Sequence, residues 1–86
     1  MIIKKKAWPE LFELVKEGKK NFDVRLADFD CKEGDILLLK EWDPKTKEYT
    51  GRELKKEVSF VLKTKDCEFW KKEDIYKYGF QVIQLK

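Results

Sequence analysis

The sequence predicts an α+β domain: a small, mixed and mostly antiparallel β-barrel with one N-terminal helix and a short C-terminal helix. Three observations predict it. The chain has 86 residues, enough for a single domain (1–86) with a modest core. Its apolar residues switch between helical and alternating spacing in the order strand, helix, several strands, short helix, final strand. That order allows few parallel crossovers, and about five short strands in so small a chain curl to remove exposed edges.

Each element has a local reason. Ile2 and Ile3, ahead of Lys4-Lys5-Lys6, begin a short strand with one apolar side. Pro9 and Glu10 after Trp8 open a helix: proline suits a first turn whose N–H needs no partner, and an acid there complements the dipole. Trp8, Leu11, Phe12 and Val15 lie on one helical face, widened by Leu14, and the helix should stop near Glu17 or Gly18. Residues 21–26 alternate, so Phe22, Val24 and Leu26 are expected in a core, with Asp23 and Arg25 together on the other face. Residues 28–34 read as loop. Ile36-Leu37-Leu38-Leu39 is a continuous apolar run, expected as a strand covered on both sides and continuing to Trp42. Residues 43–48 form a turn-rich tip, and Tyr49-Thr50-Gly51 returns from it. Residues 54–62 are expected as the next strand, with Val58, Phe60 and Leu62 inward. Residues 71–78 make a short helix closed by Gly79, and residues 80–85 the last strand.

Bulk composition narrows the function classes. Lys+Arg 20 against Asp+Glu 17 gives a net charge of +3, which permits a nucleic-acid partner without demanding one. Histidine is absent. That removes the usual general base near neutral pH, Ser-His and Cys-His pairs, and histidine-bearing zinc sites. Cys31 and Cys67 match no metal or redox spacing and are expected as inert free thiols, so no metal and no cofactor is expected. No apolar stretch reaches the length of a membrane span, and no signal-peptide pattern follows Met1, the only methionine. The expectation is a complete, cytoplasmic protein with no membrane partner. Nothing in the sequence sets an oligomeric state.

One polar constellation looks placed. Gly18 ends a helix, and Lys20, Asp23 and Arg25 follow at the helix-to-strand junction. The pattern Gly18-x-Lys20-x-x-Asp23-x-Arg25 resembles the signature of the ASCH family, Gly-x-Lys-x-x-Glu-x-Arg, within the PUA-like superfamily. Trp8-Pro9-Glu10-Leu11-Phe12, Lys32-Glu33-Gly34-Asp35-Ile36-Leu37 and Asp43-Pro44…Tyr49-Thr50-Gly51-Arg52 are similar to the small stand-alone members, so most of the chain is covered. The resemblance implies a PUA-like barrel with a cleft beside the first helix. It also implies a link to RNA: some members bind it, some are reported as ribonucleases, and some hydrolyse acetylated cytidine nucleosides. Carried over by position, Gly18 sets the turn, Lys20 is the cleft amine, Asp23 the cleft carboxylate, and Arg25 the guanidinium that holds it or meets a phosphate. Asp23 stands where Glu is commoner. In the amidohydrolase-type members that position carries a threonine nucleophile, a role Asp23 cannot take. Ala27-Asp28-Phe29 stands where related members often have Asn-Asp-Arg, and keeps only Asp28.

The leading expectation is an RNA- or nucleotide-binding module with a charged cleft. Gly18, Lys19, Lys20, Asp23, Arg25, Asp28, Arg52 and Trp70 are its ligand-side candidates. Lysines 4–6 and the rings of Trp8, Phe29, Trp42 and Tyr49 supply further cations and stacking surfaces. Trp8, on the apolar helix stripe, is expected as core, and Trp70 as a partly exposed ring. Two alternatives come from other classes. One is a small hydrolase acting on a modified nucleoside or on single-stranded RNA, with Lys20 and Asp23 as the catalytic pair. The other is a protein-interaction domain with a vestigial cleft, in which the three charges are a structural ion-pair group.

Overall fold

Two apolar runs far apart in sequence organise the computed structural model, which describes residues 1–66 and 68–86. Strand β1 (Ile2–Ala7) pairs in parallel with β2 (Ile36–Asp43), in register from Ile2↔Ile36 to Ala7↔Glu41. Strand β3 (Glu48–Glu57) returns antiparallel to β2. The sheet order is β1-β2-β3. The hairpin between β2 and β3 turns on Asp43, whose side chain accepts from the Lys45 N–H at 2.8 Å while its carbonyl accepts from the Lys47 N–H at 2.7 Å. These bonds explain why an Asp-Pro start was readable as a turn.

A parallel β1–β2 pair needs a crossover, and helix α1 (Pro9–Lys16) lies on it. Phe12, 1% exposed, and Val15 pack on Ala7 and Leu39, with Leu37 and Leu54 beside them. The buried stripe is narrower than the sequence predicts. Trp8, Leu11 and Leu14 stay largely in solvent, because a three-stranded sheet is wide enough to cover only one flank of the helix. Trp8 is therefore not a core residue.

The sheet is open among the described residues, with β1 and β3 as its edges, and the α+β class holds without the expected closure. Residues 21–26 and 80–85 are irregular where strands were expected. Val24 and Leu26 are exposed, Leu26 at 81%, rather than in a core. β3 spans 48–57 instead of 54–62, and beyond it only Val58 continues the pairing, through the Gly34 N–H to its carbonyl and its own N–H to Asp35. Phe60 and Leu62 remain exposed. The physical reason is common to all three runs. Alternation says which faces a strand would show, but a strand exists only where a second backbone supplies the ladder. Between the 19–21 region and the tail, one side chain supplies that contact. The amide of Gln84 donates to the Lys19 carbonyl at 3.3 Å and accepts from the Asn21 N–H.

Helix α2 (Lys72–Tyr78) ends at Gly79, as the sequence predicts, with the Gly79 N–H bonded to the Ile75 carbonyl at 2.8 Å. A 3-10 turn (Thr64–Asp66) precedes it. Cys67 lies outside the described residues.

Candidate functional site

The exit of α1 sets the site. Gly18 takes φ +79, a conformation that costs a glycine little. The Gly18 N–H bonds the Val15 carbonyl, and the Lys19 and Lys20 N–H groups both bond the Leu14 carbonyl. This is the Schellman pattern, and it satisfies helix-end carbonyls while turning the chain sharply. Lys20 is thereby aimed back under the run that follows.

Lys20, Asp23 and Arg25 then converge. Lys20 Nζ donates to the Phe22 carbonyl at 2.7 Å and lies 3.7 Å from Asp23 Oδ1. Arg25 Nε donates to Asp23 Oδ2 at 2.7 Å, and Arg25 Nη2 donates to the Lys6 carbonyl on β1 at 2.7 Å. Asp23 and Arg25 share a side as alternation predicts, although the run is not a strand. The side chains are 14%, 24% and 27% exposed respectively, so the group is neither sealed nor loose in solvent.

The three line a cleft of about 440 Å³. Its floor is apolar: Val15 from α1, and Leu37 and Leu39 from β2. Phe22, Ser59, Phe60 and Leu62 line its sides. Cys31, a free thiol, and Phe29 also line it, and Lys5 Nζ lies 3.6 Å from the Phe29 ring centre. The cleft thus offers ammonium and guanidinium donors, one carboxylate acceptor and apolar walls. That set suits a flat, polar-edged guest: rings against the walls, a carbonyl or anionic oxygen to Lys20 or Arg25, an amine to Asp23.

The other ligand-side candidates lie elsewhere. Lys19 is exposed and paired with Glu17 at 3.2 Å. Asp28 is exposed and does not line the cleft. Trp70 is half-exposed, as expected, but packs edge-on with Phe69 and Phe80 and does not line the cleft. Arg52 belongs to a clamp between α1 and the sheet. Its Nη2 reaches Glu13 Oε2 at 2.6 Å, its Nε reaches Glu41 Oε1 at 3.2 Å, and its guanidinium lies over the Phe12 ring. A bulge in β3 makes this possible: Lys40 faces Glu53 but Trp42 faces Tyr49, so residues 50–52 crowd opposite Glu41. Thr50 Oγ1 donates to the same carboxylate at 2.6 Å. The Arg52 hydrogen bond holds the Glu13 carboxyl below its ordinary value, and Glu13 in turn raises Arg52.

The sequence reading missed two features. Cys31 and Ser59 line the cleft, and no local pattern marks either. Asp35, 3% exposed, ties the start of β2 down. It accepts from the Lys32 N–H at 3.0 Å and from the Met1 amine at 3.2 Å. The Lys32 N–H, and after it the amine, hold this carboxyl below its ordinary value against the opposing effect of burial. The Lys32-Glu33-Gly34-Asp35 turn was the available signal, since an acid there can close the loop onto its own backbone.

Among the described residues, no helix is long and apolar enough to cross a membrane, and no group of three or more acidic, cysteine or histidine side chains could hold a metal ion. No curated protein and no solved structure matches the chain. Residues 3–76, which include α1, the charged cluster and the whole sheet except Ile2, match the family described as Domain of unknown function (DUF3850), and the chain belongs to that family.

Proposed function

We propose that this protein is an RNA- or nucleotide-binding module of ASCH type, and that its ligand sits in the cleft between α1 and the 56–63 run. The observation that carries the reading is the meeting of Lys20, Asp23 and Arg25 at an apolar-walled cleft of about 440 Å³, within the range of roughly 300–1,000 Å³ typical of small-ligand pockets. Lys20 and Arg25 receive a base carbonyl or a phosphate oxygen. Asp23 accepts from an exocyclic amine and, paired with both cations, offsets their mutual repulsion. Phe22 and Phe60 supply ring surfaces for stacking. The finer fold is part of the proposal: residues 21–26 and 80–85, already joined by the Gln84 side chain, zip together and close the sheet into a small PUA-like barrel.

Titration with cytidine, cytidine monophosphate and a short single-stranded RNA tests it, followed by tryptophan fluorescence. Lys20→Ala should weaken binding about tenfold or more, since a hydrogen bond to a charged group is worth about 1.5–3 kcal/mol. In a Cys67→Ser background, bound ligand should also slow alkylation of Cys31. Absence of binding at millimolar ligand, or affinity indifferent to Lys20→Ala and Asp23→Asn, overturns the reading. Turnover of acetylated cytidine or RNA that both substitutions abolish would make the same cleft an active site.

A further inference from the structure

Arg25 stands in two places at once. It lines the cleft, and it lines a second, shallower groove formed with Lys4, Lys5, Lys6, Lys40 and Tyr49. The groove holds about 390 Å³. The β1–β2 register explains its composition. Lys4 and Lys6 alternate onto the sheet face opposite α1, and Lys6 stands directly across from Lys40. Like charges facing each other across a sheet are destabilising.

Local carboxylates do little to relieve this. Among the described residues none pairs with Lys4, Lys5 or Lys6, and Lys40 meets only Glu53, at 3.8 Å. Aromatic rings take up part of the charge instead. Lys6 Nζ lies 4.4 Å from the Trp42 ring centre, and Lys40 Nζ lies 4.7 Å from that of the half-exposed Tyr49. Five cations and no carboxylate line this groove, on a chain whose overall charge is nearly balanced. The Arg25 guanidinium joins it to the cleft at the β1 edge, through the Lys6 carbonyl.

We infer that the ligand is a single-stranded RNA, with one base in the cleft and its backbone passing Arg25 onto the lysine groove. This rests on the nucleotide reading of the cleft and extends it to a chain of nucleotides. Phosphates displace the lysines from their rings, and the freed face of Tyr49 receives the neighbouring base. Cations tracking the backbone beside an aromatic platform are what a single strand requires.

The test compares cytidine monophosphate with oligocytidylates of increasing length, across a salt series. Oligomers should bind more tightly than the monomer, up to the length that spans the groove. Lys4→Gln/Lys40→Gln should remove that gain, leave monomer affinity unchanged, and flatten the salt slope of the oligomer by about 1.4, at roughly 0.7 for each phosphate no longer neutralised. Lys20→Ala should weaken monomer and oligomer alike. A monomer that binds as tightly as any oligomer overturns the inference and leaves the cleft reading standing. So does an oligomer whose affinity and salt slope ignore the double substitution. Failure of both ligands to bind removes the two readings together. Capture on phosphatidylserine vesicles with no dependence on RNA length overturns the inference in favour of a lipid surface.

Discussion

Asp23→Asn isolates the charge that joins the cleft cations. The amide is nearly isosteric and still accepts from Arg25, so the 2.7 Å contact survives with one charged partner instead of two. What is lost is the ion-pair part of a short, partly exposed contact, about 1 kcal/mol at the upper end for such pairs. The Lys20 contact at 3.7 Å is longer. As a partly exposed pair it adds about 0.5 kcal/mol net, once the cost of ordering the lysine chain is counted. The sum is about 1.5 kcal/mol, a fall in Tm of about 6–12 °C for a domain of this size. Thermal unfolding followed by circular dichroism at low salt measures it, and added salt should narrow the gap by screening the pairs that the wild type keeps. Asp28→Asn is the control: it removes the same charge from an exposed side chain outside the cleft and should move stability by less than about 0.5 kcal/mol. Equal Tm values for wild type and Asp23→Asn, or equal losses for the two variants, would refute the convergence as an energetic unit.

Gly18→Ala should destabilise by about 1–2 kcal/mol in urea unfolding through the backbone alone, because a Cβ at that position meets nothing within 4 Å; a wild-type midpoint would refute the strained geometry. Asp35 titrates below its ordinary value of 3.8, so its contribution is present above that pH and is lost as pH falls through the lowered folded value. Urea unfolding through the acid range should therefore show a shallower acid loss in Asp35→Asn than in wild type, and identical slopes would refute the assignment. Arg52→Ala should lower Tm by opening the clamp on Glu13 and Glu41 while leaving cleft affinity unchanged, and calorimetry with the cleft ligand separates the two effects.

Local rules made much of this molecule legible. Pro9 and Gly18 delimit α1, Gly79 closes α2, and the Asp43 turn marks the hairpin, because each depends on a few neighbouring backbone atoms. The meeting of Lys20, Asp23 and Arg25 was legible for the same reason, since their spacing after one helix end brings them together. Tertiary supply was not legible. Residues 21–26 and 80–85 carry strand alternation, yet no backbone ladder reaches them. Trp8 carries the helical stripe, yet the sheet beneath α1 is too narrow to cover it. Arg52 was expected at the ligand, but a two-residue excess in β3 turns it toward Glu41, and a bulge leaves little trace in sequence beyond Gly51.

The Gln84 amide has a consequence for how the tail can be altered. A ladder fastens many residues at once and resists change at any one of them. Here the hold on the α1 exit passes through one terminal amide, which donates a hydrogen bond to the Lys19 carbonyl and accepts one from the Asn21 N–H. Gln84→Glu would set an anionic oxygen against a carbonyl and undo half of that clasp with a single atom exchanged. Because that clasp lies on a side chain outside β1, β2 and β3, one substitution loosens the tail from the α1 exit and leaves the three strands unchanged.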